Sequence, residues 1–282
     1  MNILTFDIEE WFHILDNDLT KSEKDWLNFE SRIEFEMNTI FEIIDKFNVD
    51  ATFFVVGWVA EKYPNLIRKL SDLGFEVASH THLHQLAYTQ SRKRFYNDVE
   101  KSIKTIEDCT GKKVTSFRAP GFSITENNLW AFQVLYELGI KIDCSVFPGK
   151  RFHGGLTKHN LSTPSIINYN GMKLKEFPIN IHTILNKNFV FSGGGYFRIM
   201  PYRIIKNWTK KSNYVMSYFH PRDFDYLQPP IPGLSPLKNF KSTVGLKNCK
   251  SKLEMWLKDF DFIDLKTADR MVDWSKAREV HI

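Results

Sequence analysis

Two histidines have the spacing of a metal-ligand pair. His80 and His84 lie four residues apart in a His-Thr-x-x-His pattern that directly follows a short apolar run at 75–79. Imidazoles at positions i and i+4 of one helical turn point to the same side and can bind one cation, which leaves positions for a carboxylate and water. We therefore predict that these two histidines bind a divalent metal ion, whereas His82 between them points elsewhere.

Two carboxylates could complete this site. Asp7 and Glu9 follow the apolar run 3–6, which we predict to be a buried strand. Because side chains alternate along a strand, both carboxylates face one side, while Ile8 faces the other and Glu10 points away. A pair of carboxylates can divide the work of a hydrolase, one binding the metal and the other taking a proton from water. The spacing alone does not decide which carboxylate has which role.

The segments that carry these residues alternate between predicted strands and helices. Short apolar runs predict strands at 3–6, 51–57, 75–79, 114–117, 140–142, 215–218 and 262–265. Apolar residues at helical spacing predict helices at 30–47, 64–73, 92–109, 125–139 and 251–260. The segment 149–195 contains mainly loop signals. The alternation predicts an α/β fold with a parallel sheet or barrel, and the polar residues after each strand place the active site at the C-terminal ends of the strands.

Composition and charge exclude several classes of protein. The chain has 282 residues and a net charge of +5, but its basic residues are interspersed with acidic ones, so we predict no nucleic-acid partner. Its three cysteines form no CxxC pair, which argues against a zinc ribbon or a disulfide framework. The N-terminal residues do not resemble a signal peptide, and no apolar run reaches the roughly 18–20 residues of a membrane span. We expect a cytoplasmic protein, alternatively one bound peripherally at the inner membrane face.

Five motifs, in order across 3–222, resemble those of a known family. They are Thr5-Phe6-Asp7-Ile8-Glu9, His80-Thr81-His82-Leu83-His84, Arg118-Ala119-Pro120-Gly121, Asp143-Cys144-Ser145 and Tyr218-Phe219-His220-Pro221. The chain thus resembles the polysaccharide deacetylase family with the NodB homology domain, carbohydrate esterase family four. The segments 176–178, 193–198 and 220–225 are similar to a subfamily of exopolysaccharide and surface-glycan biosynthesis.

The resemblance implies a distorted (β/α) barrel of about seven parallel strands and a role for each matching residue. By this resemblance, His80 and His84 bind the metal and Asp7 is the catalytic base. It further implies that Arg118 pairs with the base, that His220 is the acid that protonates the leaving amine, and that Asp143 orients His220. We expect one domain over 1–282, with the barrel at about 3–225 and an extension at 226–282 packed on it.

The first motif departs from the family pattern. Most members have two adjacent aspartates and use the second as a metal ligand, but Ile8 occupies that position here. A subset resembling this chain has Asp-x-Asp or Asp-x-Glu, so we assign Glu9 to the metal. The reverse assignment, with Asp7 as ligand and Glu9 as base, stays open. The resemblance implies one divalent ion, with Zn²⁺ expected and Co²⁺, Ni²⁺ or Mn²⁺ as alternatives.

The expected reaction is removal of an N-acetyl group from an amino sugar of a surface polysaccharide or its precursor. The substrate is an N-acetylated saccharide, which a nucleotide or a lipid could carry, and the oligomeric state is not indicated. Two alternatives remain: a related C–N hydrolase of the deformylase or cyclic amidase type, and a catalytically silent glycan-binding homologue. Aromatic residues make up 15% of the chain, and sugar rings stack on such side chains. The residues that we expect to face the substrate are Trp11, Pro120, Phe122, Tyr196 and Phe197.

Overall fold

The fold is built on a central eight-stranded sheet in which most neighbouring strands are parallel. The computed structural model describes residues 1–15, 17–149, 153–159, 161–184 and 187–282. The strand order in the sheet is β12-β7-β8-β6-β5-β4-β3-β2. The strands of the described residues are β1 (Asn2–Ile3), β2 (Thr5–Ile8), β3 (Thr52–Val55), β4 (Glu76–Ser79), β5 (Ser116–Phe117), β6 (Ile142–Asp143), β7 (Ser165–Tyr169), β8 (Met172–Glu176), β9 (His182–Ile184), β10 (Lys187–Phe189), β11 (Val215–Met216) and β12 (Arg278–His281).

The sheet continues beyond β2 and curves toward a barrel. Strand β1 pairs with β11, and Phe6 forms a parallel bridge to Phe219. A further parallel bridge joins Tyr218 to Gly193. The expected α/β fold with a barrel-like parallel sheet is therefore confirmed, and the C-terminal ends of β2, β4, β5, β6 and β11 lie on the same side of it.

Helices cover the outside of the sheet. They are α1 (Glu23–Trp26), α2 (Ile33–Phe47), α3 (Gly57–Lys62), α4 (Pro64–Asp72), α5 (Arg92–Thr110), α6 (Trp130–Glu137), α7 (Gly194–Ile199), α8 (Tyr202–Lys211), α9 (Pro236–Thr243), α10 (Cys249–Asp259) and α11 (Leu265–Met271). Helix α2 shows why these segments form helices: Ile33, Met37, Ile40 and Ile44 recur at three- and four-residue spacing and are buried. It ends at Asn48, which has a left-handed backbone conformation.

Two differences between the structure and the sequence-based expectation concern strands. The segment that we expected to be loop-rich contains the antiparallel hairpin β7–β8, whose turn is Asn170-Gly171 with positive φ at both residues. An Asn-Gly pair favours this kind of tight turn, so the signal was present in the sequence. Of the predicted closing strand 262–265, only Ile263 pairs, by an isolated parallel bridge to Ile3, and β12 forms the edge of the sheet. The segment does not continue as a strand because the Asp264 side chain accepts a hydrogen bond from the Thr267 amide and starts helix α11.

A helix that spans a membrane must be long and apolar. Among the helices of the described residues, none is both long and apolar enough to cross a bilayer.

Candidate active site

Glu9, His80 and His84 converge at the C-terminal ends of β2 and β4. One ligand atom from each side chain lies within 4.8 Å of the other two, and all three side chains are buried. The Nε2 atom of His84 is in contact with a carboxylate oxygen of Glu9. Two imidazoles and a carboxylate that share one point have the donor set and the spacing of a divalent metal site.

The two histidines do not lie on a helical turn, and this part of the sequence-based expectation was wrong. Residues 80–86 form an irregular loop in which Thr81 (φ 64°) and His84 (φ 50°) have left-handed backbone conformations. The loop is fixed by the start of α3, because the amides of Gly57 and Trp58 donate to the carbonyls of Thr81 (2.8 Å) and His82 (3.1 Å). The two left-handed residues turn the chain so that both imidazoles face Glu9.

A carboxylate on α5 also holds this loop. The amides of His82 and Leu83 donate to the two oxygens of Asp98 at 2.9 and 3.0 Å. Burial raises the pKa of Asp98 to about 6, although these two hydrogen bonds favour its ionised form. Asp98 was missed in the sequence, where it is one of many charged residues on a helix. It is separated from the histidine motif by 14 residues or more, so no local pattern reveals it.

The protonation of His80 suits a metal ligand. Its Nδ1 atom lies 2.7 Å from the Arg118 carbonyl, which can only accept a hydrogen bond, so the proton is on Nδ1 and the Nε2 lone pair is free. Burial, together with the nearby His84, holds the pKa of His80 well below its ordinary value. Burial alone would favour the neutral acid of Glu9, but the imidazoles of His84, His220 and His80 outweigh it and lower the pKa of Glu9. The Glu9 oxygen that contacts the His84 Nε2 atom accepts no other hydrogen bond among the described residues. These residues therefore fit a divalent metal.

Asp7 pairs with Arg118 beside this cluster. The Arg118 Nη1 atom donates to an Asp7 oxygen at 2.6 Å and to the Thr5 hydroxyl at 2.8 Å. The guanidinium also lies 4.1 Å from the centre of the Phe54 ring, and Arg118 is completely buried. This fixed guanidinium restricts the orientation of the Asp7 carboxylate.

His220 lies opposite, with its Nε2 atom 3.9 Å from both an Asp7 oxygen and a Glu9 oxygen. Its Nδ1 atom lies 3.2 Å from the Asp223 carboxylate, which also accepts the His220 amide at 3.0 Å. Burial opposes protonation, but the hydrogen bond to Asp223 and the charges of Glu9, Asp223 and Asp7 outweigh it and raise the pKa of His220. The Asp223 pKa is held far below its usual range despite burial, mainly because of Arg198 and His220.

The expectation that Asp143 orients His220 is corrected by this geometry. Asp143 accepts hydrogen bonds from the Ser145 hydroxyl (2.6 Å) and amide (3.2 Å), and it shares a further one with Glu176. The Ser145 hydroxyl in turn accepts from the Ala119 amide at 2.8 Å, so Asp143 supports the loop that carries Arg118. The carboxylate on His220 is Asp223, and the sequence did contain a signal for it. The two residues are three apart in the tight turn that begins at Pro221.

Four of the five residues expected to face the substrate are buried. Trp11 packs on Phe12 and Phe29 and donates to the Glu30 carbonyl; Phe197 packs on Phe219 and Trp256. Pro120 and Phe122 lie in a buried turn. The burial of Trp11, Phe122 and Phe197 follows the general tendency of large aromatic rings to pack in the core.

Tyr196 is the fifth of these residues, and its side chain is 52% exposed. It borders a cleft of about 450 Å³ that also reaches Glu9 and His220. A second cleft of about 420 Å³ is bordered by His84, His13 and Trp26. Residues of the candidate site therefore border two clefts, and an aromatic ring is exposed in the first.

We predict that Asp98→Ala lowers the affinity for Zn²⁺ by about 10–100-fold, because the loop that aims His84 loses both of its hydrogen bonds to the carboxylate. Competition with a chromophoric chelator measures this affinity. The matched control is Asp108→Ala, an exposed aspartate on the same helix, which should bind Zn²⁺ as the wild type does. Unchanged affinity in Asp98→Ala would contradict this role.

Two family matches divide the chain near residue 143. Residues 19–142 match the polysaccharide deacetylase family, and residues 144–270 match a domain of unknown function, DUF3473. His80, His84 and Arg118 fall in the first match, whereas His220 and Asp223 fall in the second. Glu9 precedes both. The candidate site is therefore assembled from all three parts of the chain.

Relatives and solved structures agree with the first match. The peptidoglycan-N-acetylglucosamine deacetylase PgdA of Listeria monocytogenes is 31% identical over 103 residues, which cover 36% of this chain and 21% of the relative. A peptidoglycan-N-acetylglucosamine deacetylase of Bacillus cereus is 32% identical over 94 residues, which cover 32% of this chain and 34% of the relative. The aligned part is thus at most about a third of these relatives.

The crystal structure of a Mycobacterium smegmatis protein assigned to the polysaccharide deacetylases has the same fold. The TM-score is 0.64 at 17% identity, over 99% of this chain and 92% of that one. Residues 19–142 therefore match the polysaccharide deacetylase family, and the whole chain shares the fold of this solved structure.

Proposed function

We propose that this protein is a metal-dependent hydrolase that removes the N-acetyl group from an amino sugar of a surface polysaccharide or its precursor. The observation that carries the proposal is the convergence of Glu9, His80 and His84 within 4.8 Å, next to Asp7 and His220. The relatives' names support an N-acetylglucosamine unit as the group that is deacetylated. We propose Zn²⁺ as the metal, because two imidazoles and one carboxylate match its ligand preference.

The metal would be held by Glu9, His80 and His84, where it would supply a Lewis acid that favours attack on the acetyl carbonyl. Asp7 acts as general base and takes a proton from the attacking water. Arg118 holds the Asp7 carboxylate in place through the 2.6 Å ion pair. Such a base contributes about 10²–10⁴-fold to the rate.

His220 acts as general acid on the nitrogen that leaves. Its Nδ1 atom faces Asp223, which leaves Nε2 to donate a proton toward the cleft. The 3.9 Å between Nε2 and the Asp7 oxygen supports an arrangement in which the acid and the base flank the amide. Tyr196, which is exposed in the same cleft, would stack on a sugar ring.

The saccharide carrier and the compartment are further parts of the proposal. We propose a nucleotide- or lipid-linked saccharide that is processed in the cytoplasm. Cys109, Cys144 and Cys249 are buried free thiols, which is compatible with a reducing compartment.

Acetate release tests the proposed activity. We expect the Zn²⁺-loaded protein to release acetate, and no formate, from N-acetylglucosamine oligosaccharides, and we expect a chelator to stop the reaction and Zn²⁺ to restore it. Glu9→Gln should lose its bound zinc, and its activity should fall by at least about 100-fold, because a metal ligand is removed. Elemental analysis and enzymatic quantification of acetate and formate are the measurements.

Glu10→Gln is the matched control for Glu9→Gln. Glu10 is the adjacent carboxylate, but it accepts hydrogen bonds from the Ser31 hydroxyl and the Arg32 amide and so points away from the histidines. This variant should keep its zinc. If Glu9→Gln retains stoichiometric zinc, the ligand assignment is wrong; if formate rather than acetate is released, the related deformylase reaction replaces the proposal.

The pH dependence of kcat/KM tests whether His220 is the general acid. We predict that Asp223→Asn shifts the alkaline limb of kcat/KM to lower pH by about one unit, because the carboxylate that raises the His220 pKa is gone and His220 loses its proton at lower pH. Asp143→Asn is the control, and its alkaline limb should stay in place. A shift in Asp143→Asn without one in Asp223→Asn would restore Asp143 as the partner of His220.

A further inference from the structure

Helix α9 (Pro236–Thr243) exposes apolar side chains next to the cleft. None of its eight residues is buried. Leu237 and Phe240 are each 63% exposed, although they are the largest apolar residues of the helix. A helix that packed against the protein by its apolar face would bury these two side chains, so α9 is held in place by other contacts.

Those other contacts come from the opposite face of the helix. The Asn239 side chain donates to the carbonyls of Ile231 and Leu234 at 3.1 and 3.2 Å and accepts the Ile231 amide at 3.1 Å. Asn239 is two residues from Leu237, which places it about 160° away around the helix axis. The apolar face of α9 therefore points away from the rest of the protein.

The apolar face of α9 is continuous with the mouth of the cleft. Lys241 follows Leu237 by four residues, lies on the same face and borders the cleft with Tyr196 and Ile199. Helices α7 and α9 are joined by a hydrogen bond from Arg198 to the Ser242 carbonyl at 2.7 Å. Ile199 is 60% exposed. We call these side chains the rim surface: Tyr196, Ile199, Leu237, Phe240, Lys238 and Lys241.

The part of the chain that forms the rim surface is strongly basic. Residues 177–253 contain twelve Lys and Arg residues and only two acidic residues, Asp223 and Asp225, both of which are buried. Lys238, Lys241 and Lys247 are exposed, and the structure shows no ion pair for them within the described ranges. The exposed charged residues that this segment contributes beside the apolar side chains are therefore lysines.

We propose that the rim surface docks on an anionic lipid bilayer. An exposed helix with apolar side chains flanked by lysines is the combination that inserts between headgroups and is attracted by anionic lipids. A protein partner would need a pocket whose acidic and apolar groups match the rim surface. An anionic bilayer offers charged headgroups and apolar acyl chains over its whole area. Docking would turn the cleft toward the membrane surface. This proposal rests on the rim surface and does not depend on the proposed reaction.

Vesicle co-sedimentation of the whole protein tests the docking. We expect binding to vesicles that contain phosphatidylglycerol, little binding to pure phosphatidylcholine, and a decline with rising salt. Leu237→Ser with Phe240→Ser should lower the partition coefficient at least about tenfold, because two inserted apolar side chains are lost. Lys238→Glu with Lys247→Glu should lower it by a similar factor on anionic vesicles only.

The matched control is Leu73→Ser with Tyr136→Ser. These residues are 56% and 48% exposed but precede β4 and β6, so they lie at the opposite end of the strands from the cleft. The control should bind vesicles as the wild type does. Thermal unfolding and zinc content, measured for every variant, show whether the protein is folded. Since the substituted side chains are exposed, neither should change.

Three results would overturn the proposal. One is the absence of wild-type binding to anionic vesicles, and another is equal binding to neutral and anionic vesicles. The third is a concentration-dependent dimer that Leu237→Ser with Phe240→Ser abolishes while vesicle binding is unaffected, because the rim surface would then bind a second copy. Loss of acetate release with intact vesicle binding would contradict only the proposed function.

Discussion

A buried carboxylate among buried imidazoles is the constraint on which the structure depends. Glu9 is only 5% exposed, and an ionised carboxylate at such a position is costly unless positive charge compensates it. Its neighbours are His80, His84 and His220, and His80 is held in the neutral form that a metal requires. A divalent cation at the shared point would supply the missing charge. The surrounding contacts, from the left-handed turn at His84 to the Arg118 carbonyl on His80, serve to aim these ligands.

The two family matches meet within one sheet. The first match ends at residue 142, inside strand β6, and β6 pairs with β8, which belongs to the second match. The second match also supplies His220 and Asp223, and the bridge from Phe6 to Phe219 brings them to the end of β2. This continuity supports our proposal that 1–282 forms one domain, with the barrel at 3–225 and 226–282 packed on it.

Sequence reasoning was most successful where side-chain direction follows from backbone periodicity. Alternation along β2 predicted that Asp7 and Glu9 share a face and that Glu10 points away, and the structure has this arrangement. It was least successful where tertiary contacts determine which side chains meet and which are buried.

Asp98 holds the histidine loop from a helix, and no spacing in the sequence connects the two. Asp143 and Asp223 both lie near strand ends, and although the three-residue spacing from His220 favours Asp223, the sequence does not show that Asp143 is turned toward Ser145. Trp11 and Phe197 could not be distinguished from exposed aromatics such as Tyr196, because burial depends on the packing of distant segments.

Anomalous diffraction at the zinc absorption edge, from crystals of the zinc-loaded protein, tests the central claim most directly. We predict one strong peak at about 2.0–2.2 Å from a Glu9 oxygen and from the Nε2 atoms of His80 and His84. A zinc ion that Asp7 binds, with Glu9 outside the coordination sphere, would contradict this ligand assignment, and so would the absence of a peak between the two histidines.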